Sequence, residues 1–97
     1  KLRDEPARLE KAAYLLKALG HTQRLQIVDL LDQTPELTVS DIQRHLRIEQ
    51  SLLSHHLTIM RDKGIVSPRR EGKNVYYSLR DKHVVQLLEC IRVCECL

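Results

Sequence analysis

A mainly α-helical chain with a single β-hairpin is what these 97 residues predict, and three observations carry the prediction. Apolar residues recur at three- and four-residue spacing through most of the chain, the pattern of amphipathic helices. The three prolines and three glycines fall between the periodic stretches, where they end elements rather than interrupt them. Two β-rich runs, Ile65-Val66-Ser67 and Val75-Tyr76-Tyr77-Ser78-Leu79, flank a stretch of turn formers. The length suits one domain spanning 1–97, and so small a chain gains from a second copy that covers part of its surface. With 30% charged and 42% hydrophobic residues, it reads as soluble and foldable rather than disordered. Its apolar stretches fall far short of the roughly 20 residues of a membrane span. No apolar block follows the charged start Lys1-Leu2-Arg3-Asp4-Glu5, so neither a membrane partner nor a signal peptide is expected. Lys1 in place of Met is consistent with trimming at either end. The three cysteines, Cys90, Cys94 and Cys96, all lie within the last eight residues and cannot staple the fold, which fits a reducing, cytoplasmic setting.

Five helices and the hairpin are expected in the following order. Pro6 to Leu19 places Leu9, Ala12, Ala13, Leu16 and Leu19 on one stripe, and Gly20 closes the helix. Thr22 is the expected N-cap of a second helix, in which Leu25, Val28, Leu30 and Leu31 keep the period to about Asp32 before Pro35. Thr38-Val39-Ser40-Asp41 has capping-box spacing and opens a short helix to about Leu46. After the brief link Ile48-Glu49, Gln50 to Lys63 sets Leu53, His56, Leu57 and Met60 on one face and Gln50, Ser51, Ser54, His55 and Thr58 on the other, and Gly64 ends it. The hairpin then turns through Pro68 to Asn74. The last helix begins near Arg80 or Asp81, and its apolar residues, Val84, Val85, Leu87, Leu88, Ile91 and Val93, form a band too wide for one side of a small core.

Two short helices joined by a tight turn and followed by a basic hairpin make a winged helix-turn-helix, whose second helix is shaped to enter the major groove of double-stranded DNA. The charge distribution agrees. Arg61 to Lys82 holds seven basic and three acidic residues, while the rest of the chain is net −1. The face Gln50, Ser51, Ser54, His55 and Thr58 offers short hydrogen-bonding groups to base edges, and Arg69, Arg70 and Lys73 offer cations to phosphates. Either feature alone is ordinary solvated surface; their order along the chain favours DNA binding.

Three stretches, Leu19-Gly20-His21-Thr22-Gln23-Arg24-Leu25-Gln26-Ile27-Val28, Gln50-Ser51-Leu52-Leu53-Ser54-His55-His56-Leu57 and Gly72-Lys73-Asn74-Val75-Tyr76-Tyr77-Ser78-Leu79, resemble the signatures of the ArsR/SmtB family of winged-helix repressors, mostly metal sensors. The resemblance covers roughly residue 9 to the end. It implies a homodimer built by the first and last helices, operator reading by Gln50 to Lys63, and release of DNA when a ligand binds. Glu49 departs from the Ser or Thr usual in relatives, and a weaker cap on the reading helix is expected from it. The resemblance also sorts effector sites. Thr38 and Ser40 stand where arsenic, lead and cadmium sensors carry Cys-x-Cys, and the second helix lacks the cysteine of the redox and persulfide sensors. The last-helix pattern survives in part, as Asp81-x-His83, ten residues, Cys94, with Leu97 at the fourth position.

Geometry constrains how those residues act together. His83 and Cys94 lie on nearly the same helix face but roughly 16 Å apart along the axis, so one helix cannot bring both to one ion. An antiparallel second copy can, since setting His83 opposite the partner's Cys94 also sets Asp81 opposite the partner's Cys96. Those four donors suit Zn²⁺ or another thiophilic ion such as Cd²⁺. The competing arrangement pairs Cys90 with Cys94 one turn apart and adds Cys96, three thiolates suited to a softer ion such as As(III). Cys90 among Leu87, Leu88 and Ile91 also reads as simple packing. His21 and His45 read as structural or exposed, His56 as a satisfied core histidine, and one of Tyr76 and Tyr77 as inward-facing. No nucleophile–base motif, phosphate-binding glycine loop or catalytic carboxylate pair is visible, so an enzyme is not expected. A family repressor answering to thiol redox chemistry, or one with no small effector, is the alternative.

Overall fold

The computed structural model describes residues 1–95. After a short 3-10 turn at Leu2–Asp4 come α1 (Pro6–Leu19), α2 (Thr22–Gln33), β1 (Leu37–Thr38), α3 (Val39–Leu46), α4 (Gln50–Asp62), β2 (Val66–Glu71), β3 (Asn74–Leu79) and α5 (His83–Val93). The strands form one antiparallel sheet in the order β1-β3-β2. This is the winged helix-turn-helix expected from the sequence, with one strand more than the hairpin.

Local chemistry sets most of the boundaries. Thr38 and Asp41 form the full capping box, the Thr38 hydroxyl accepting from Asp41 N and the Asp41 carboxylate accepting from Thr38 N. Hydrogen bonding from Thr38, its side chain first and then its backbone N–H, holds the Asp41 carboxyl below its usual range. Helix α2 is capped one residue earlier than expected: His21 Nδ1 accepts from Gln23 N, and Thr22 is already helical. Glu49 also departs from expectation, because its carboxylate accepts from Ser51 N and Leu52 N at 3.1 and 2.9 Å and caps α4 fully. Its longer arm reaches back where a Ser or Thr would reach directly. Between α3 and α4, Arg47 adopts the left-handed conformation at φ 54°, rare for a side chain of its kind, and this reversal makes the three-residue turn of the motif.

The hairpin strands extend further than the β-rich runs suggested, to Glu71 and Asn74, leaving Gly72-Lys73 as a two-residue turn. Gly72 supplies the positive φ, 61°, that such turns need at the first central position. Helix α5 begins at His83, later than expected, because Asp81 stays outside and accepts from His83 N at 2.9 Å.

The core gathers Ile27, Val28 and Leu31 of α2, Ile42 of α3, and Leu53, Leu57 and Met60 of α4, closed by Ile65, Val66 and Val84. Helix α5 contributes only Val84 as a buried residue, while Leu87, Ile91 and Val93 lie exposed, as do Leu9, Tyr14 and Leu16 of α1. Tyr77 packs against the core and Tyr76 faces away from it, as their alternation predicts.

Candidate nucleic-acid interface

Helix α4 divides sharply. Leu53, His56, Leu57 and Met60 are buried to 1% exposure or less, whereas Gln50, Ser51, Ser54, His55 and Thr58 are all exposed, so the expected reading face is open. Ser51 is the partial exception, since its hydroxyl donates to the Glu49 carboxylate and serves the cap.

A buried polar lock fixes the orientation of that face. His56 Nδ1 accepts from Arg24 Nε at 3.0 Å, and its Nε2 faces Gln23 Oε1 at 2.8 Å. The two contacts select one neutral tautomer, with Nδ1 accepting and Nε2 donating. Arg24 also donates to the Ala18 carbonyl at the end of α1, so one side chain ties α1, α2 and the reading helix together. Burial first, then the neighbouring His21, Arg24 and His55, push the His56 imidazole below its ordinary 6.5 and keep it neutral. His56 is thus the satisfied core histidine the sequence suggested; its partners, more than 30 positions away in the chain, were not legible.

The wing has two unlike faces. In β2, Pro68 and Arg70 share the face of Val75 and Tyr77, and with Arg61 at the end of α4 they line an open cleft of about 270 Å³. Two cations therefore flank the junction of reading helix and wing. Arg61 was missed by the sequence reading, although its place at the start of the basic stretch was the available signal. On the opposite face Arg69 lies over the Tyr76 ring, 4.9 Å from its centre, and reaches past β3 to Glu36. Its Nε and Nη2 donate to the two Glu36 oxygens at 2.8 and 3.0 Å, and Nη1 donates to Glu71 at 2.8 Å. These bonds raise the Arg69 guanidinium pKa further, Glu36 contributing most, and lower that of the Glu36 carboxyl. Lys73 is exposed in the turn.

The expected metal positions are only partly assembled. Asp81 Oδ1 lies 2.8 Å from His83 Nδ1, and its bond to the His83 backbone, then that to the ring, holds the carboxyl below its usual range. The pair is exposed, and Nε2 of the imidazole is left as the ligating nitrogen, the orientation that carboxylates give metal-bound histidines. Cys90 is an exposed free thiol. Cys94, the C-terminal cap of α5, is disulfide-bonded and offers a thiolate only after reduction. Cys96 and Leu97 lie outside the described residues. Among the described residues, no group of three donors that could hold a metal ion occurs within one protomer.

Residues 21–67 match the family described as bacterial regulatory protein, arsR family. The chain is 42% identical, over 79% of its length, to a cadmium resistance transcriptional regulatory protein CadC homolog of Staphylococcus aureus, and spans 64% of that protein. Its fold is similar to the transcriptional repressor BigR of Xylella fastidiosa, with a TM-score of 0.83, 32% identity and 97% of each chain covered. It also resembles Mb0332 of Mycobacterium bovis, described as a homodimeric winged helix-turn-helix DNA-binding domain, with a TM-score of 0.80, 34% identity, and 92% of this chain and 82% of that one covered.

Proposed function

The chain belongs to the arsR family of bacterial regulatory proteins, DNA-binding transcriptional regulators rather than enzymes, and we propose that it acts as a homodimeric repressor released from its operator by a thiophilic ion. The observation that carries the DNA reading is the division of α4, whose apolar side is sunk in the core while Gln50, Ser54, His55 and Thr58 stand exposed and Arg61, near the helix end, lines a cleft with Arg70 of the wing. Ser54 and His55 read base edges; Arg70, Lys73 and Arg61 take phosphates.

The dimer forms through α1 and α5. An open apolar cavity of about 320 Å³ lined by Leu16, Leu19, Leu25, Leu87, Leu88 and Ile91 supports this, as does the homodimeric neighbour from Mycobacterium bovis. The effector is Zn²⁺, Cd²⁺ or a similar ion, held by Asp81 and His83 with the partner's Cys94 and the partner's Cys96. The cadmium-resistance relative supports it, and Asp81 and His83 lie within 2.8 Å of each other, a mutual hydrogen bond that Asp81 exchanges for the ion when both ligate. Cys90 stays outside this set and serves only in the alternative thiolate trio with Cys94 and Cys96, which would take As(III).

The test uses the reduced dimer and an operator selected by the protein from random duplexes. Metal titration followed by thiolate charge-transfer absorption and by operator anisotropy should show both signals saturating together. His83→Ala should abolish the response to Zn²⁺ while leaving DNA binding intact, and Cys90→Ser should matter little. The reverse pattern would support the thiolate trio. The disulfide at Cys94 favours a second reading, thiol redox control, which would appear as loss of operator binding on mild oxidation, reversed by reductant, without metal.

A further inference from the structure

Arg69 and Arg70 are neighbours on β2, equally basic in sequence and equally placed to meet DNA, yet their surroundings are opposite. Strand alternation puts them on different faces of the wing. Arg70 borders the cleft it shares with Arg61, and Arg61 itself donates to its neighbour Asp62 at 3.2 Å. Arg69 has three of its nitrogens committed to carboxylates: a two-pronged pair with Glu36, before β1, and a third bond to Glu71, two residues along β2. A planar guanidinium over an aromatic ring with a two-pronged carboxylate partner is a geometry lysine cannot reproduce. Two carboxylates and one guanidinium leave this face with one net negative charge, so an approaching phosphate meets repulsion there and attraction on the other side.

We propose, on the premise of the DNA-binding reading above, that Arg69 is a positioning residue and not a phosphate ligand. The Glu36–Arg69–Glu71 cluster straps β2 across β3 to the start of β1 and so fixes the wing against the α3–α4 motif. It also withholds one cation from the DNA backbone, which lowers affinity for arbitrary sequence and leaves the exposed face of α4 a larger share of the binding energy. The two carboxylates thereby set the specificity of the wing, and within the wing Arg70 and Lys73 are left to release counterions on binding.

The test is the salt dependence of binding to a duplex of random sequence, measured by anisotropy on the intact reduced protein. Each phosphate that the protein ceases to neutralise should reduce the magnitude of the log–log slope by about 0.9. Arg70→Ala should flatten the slope by that amount, and Arg69→Ala should leave it unchanged. Glu36→Gln with Glu71→Gln should free the guanidinium, steepen the slope by about 0.9 and tighten binding; adding Arg69→Ala to that pair should remove the gain in slope. A purely structural strap would not steepen the slope. Arg69→Ala flattening it as much as Arg70→Ala, or a double glutamine variant with an unchanged slope, would overturn the proposal while leaving DNA binding in place. No salt-dependent binding by the unaltered protein would overturn both.

Discussion

Helices α4 and α5 are of similar length, 13 and 11 residues, but are completed in different ways. Helix α4 has its start capped by Glu49, one side filled by four buried residues and its buried histidine paired on both nitrogens. Helix α5 begins at His83 with no cap from the Lys82 side chain, its first N–H held by Asp81, buries Val84 alone, and leaves Leu87, Ile91 and Val93 exposed. The first is finished within the chain; the second has an apolar face that a second copy would cover.

Substitutions should separate the two regions by size of effect and by dependence on concentration. Leu53→Ala, which empties a fully buried site in α4, should cost about 2–5 kcal/mol of stability at any protein concentration, measured by urea unfolding. Leu88→Asp in α5 should remove about 1.5–3 kcal/mol of burial per protomer. It should shift the protein to monomer in sedimentation and weaken operator binding, since paired half-sites require two fixed reading helices. Equal stability of that variant at low and high concentration relative to the parent would place the apolar face of α5 outside any interface.

Glu49→Ala should cost about 1 kcal/mol by uncapping α4, with Glu49→Ser recovering most of it. The smallest effect concerns pH. His56 is held below its ordinary 6.5 by burial, so its contribution to stability is fully present above that value. It is lost as pH falls from there through the lower folded value, because the unfolded chain takes up the proton first. A second proton on the ring would also set an N–H against Arg24 Nε. Unfolding midpoints should therefore fall through this acid range in the parent and less steeply in His56→Gln.

Much of this was legible from sequence because local chemistry decided it. The capping box at Thr38 and Asp41, the two-sided pattern of α4 and the alternation of Tyr76 and Tyr77 each rest on residues a few positions apart. What was not legible depends on distance or on an exceptional local choice. Strand β1 is two residues long and exists only because β3 pairs with it. Nothing in an arginine announces the left-handed turn at Arg47, and Glu49 reads as a missing cap until its carboxylate is seen folded back. Arg69 read as a free cation because Glu36, its main partner, lies 33 residues away. Asp81 and His83 were found by their spacing, but the sequence did not reveal that Asp81 also holds the start of α5.

In the proposed complex the exposed face of α4 reads sequence while the wing supplies charge. Anisotropy titrations of Ser54→Ala and His55→Ala against a selected operator and a random duplex at fixed salt test it most directly. The gap between the two DNAs should narrow by about 1–3 kcal/mol for each base edge no longer read, with random-duplex affinity and salt slope unchanged. A full gap retained in both variants, or an equal loss on the two DNAs, would contradict it.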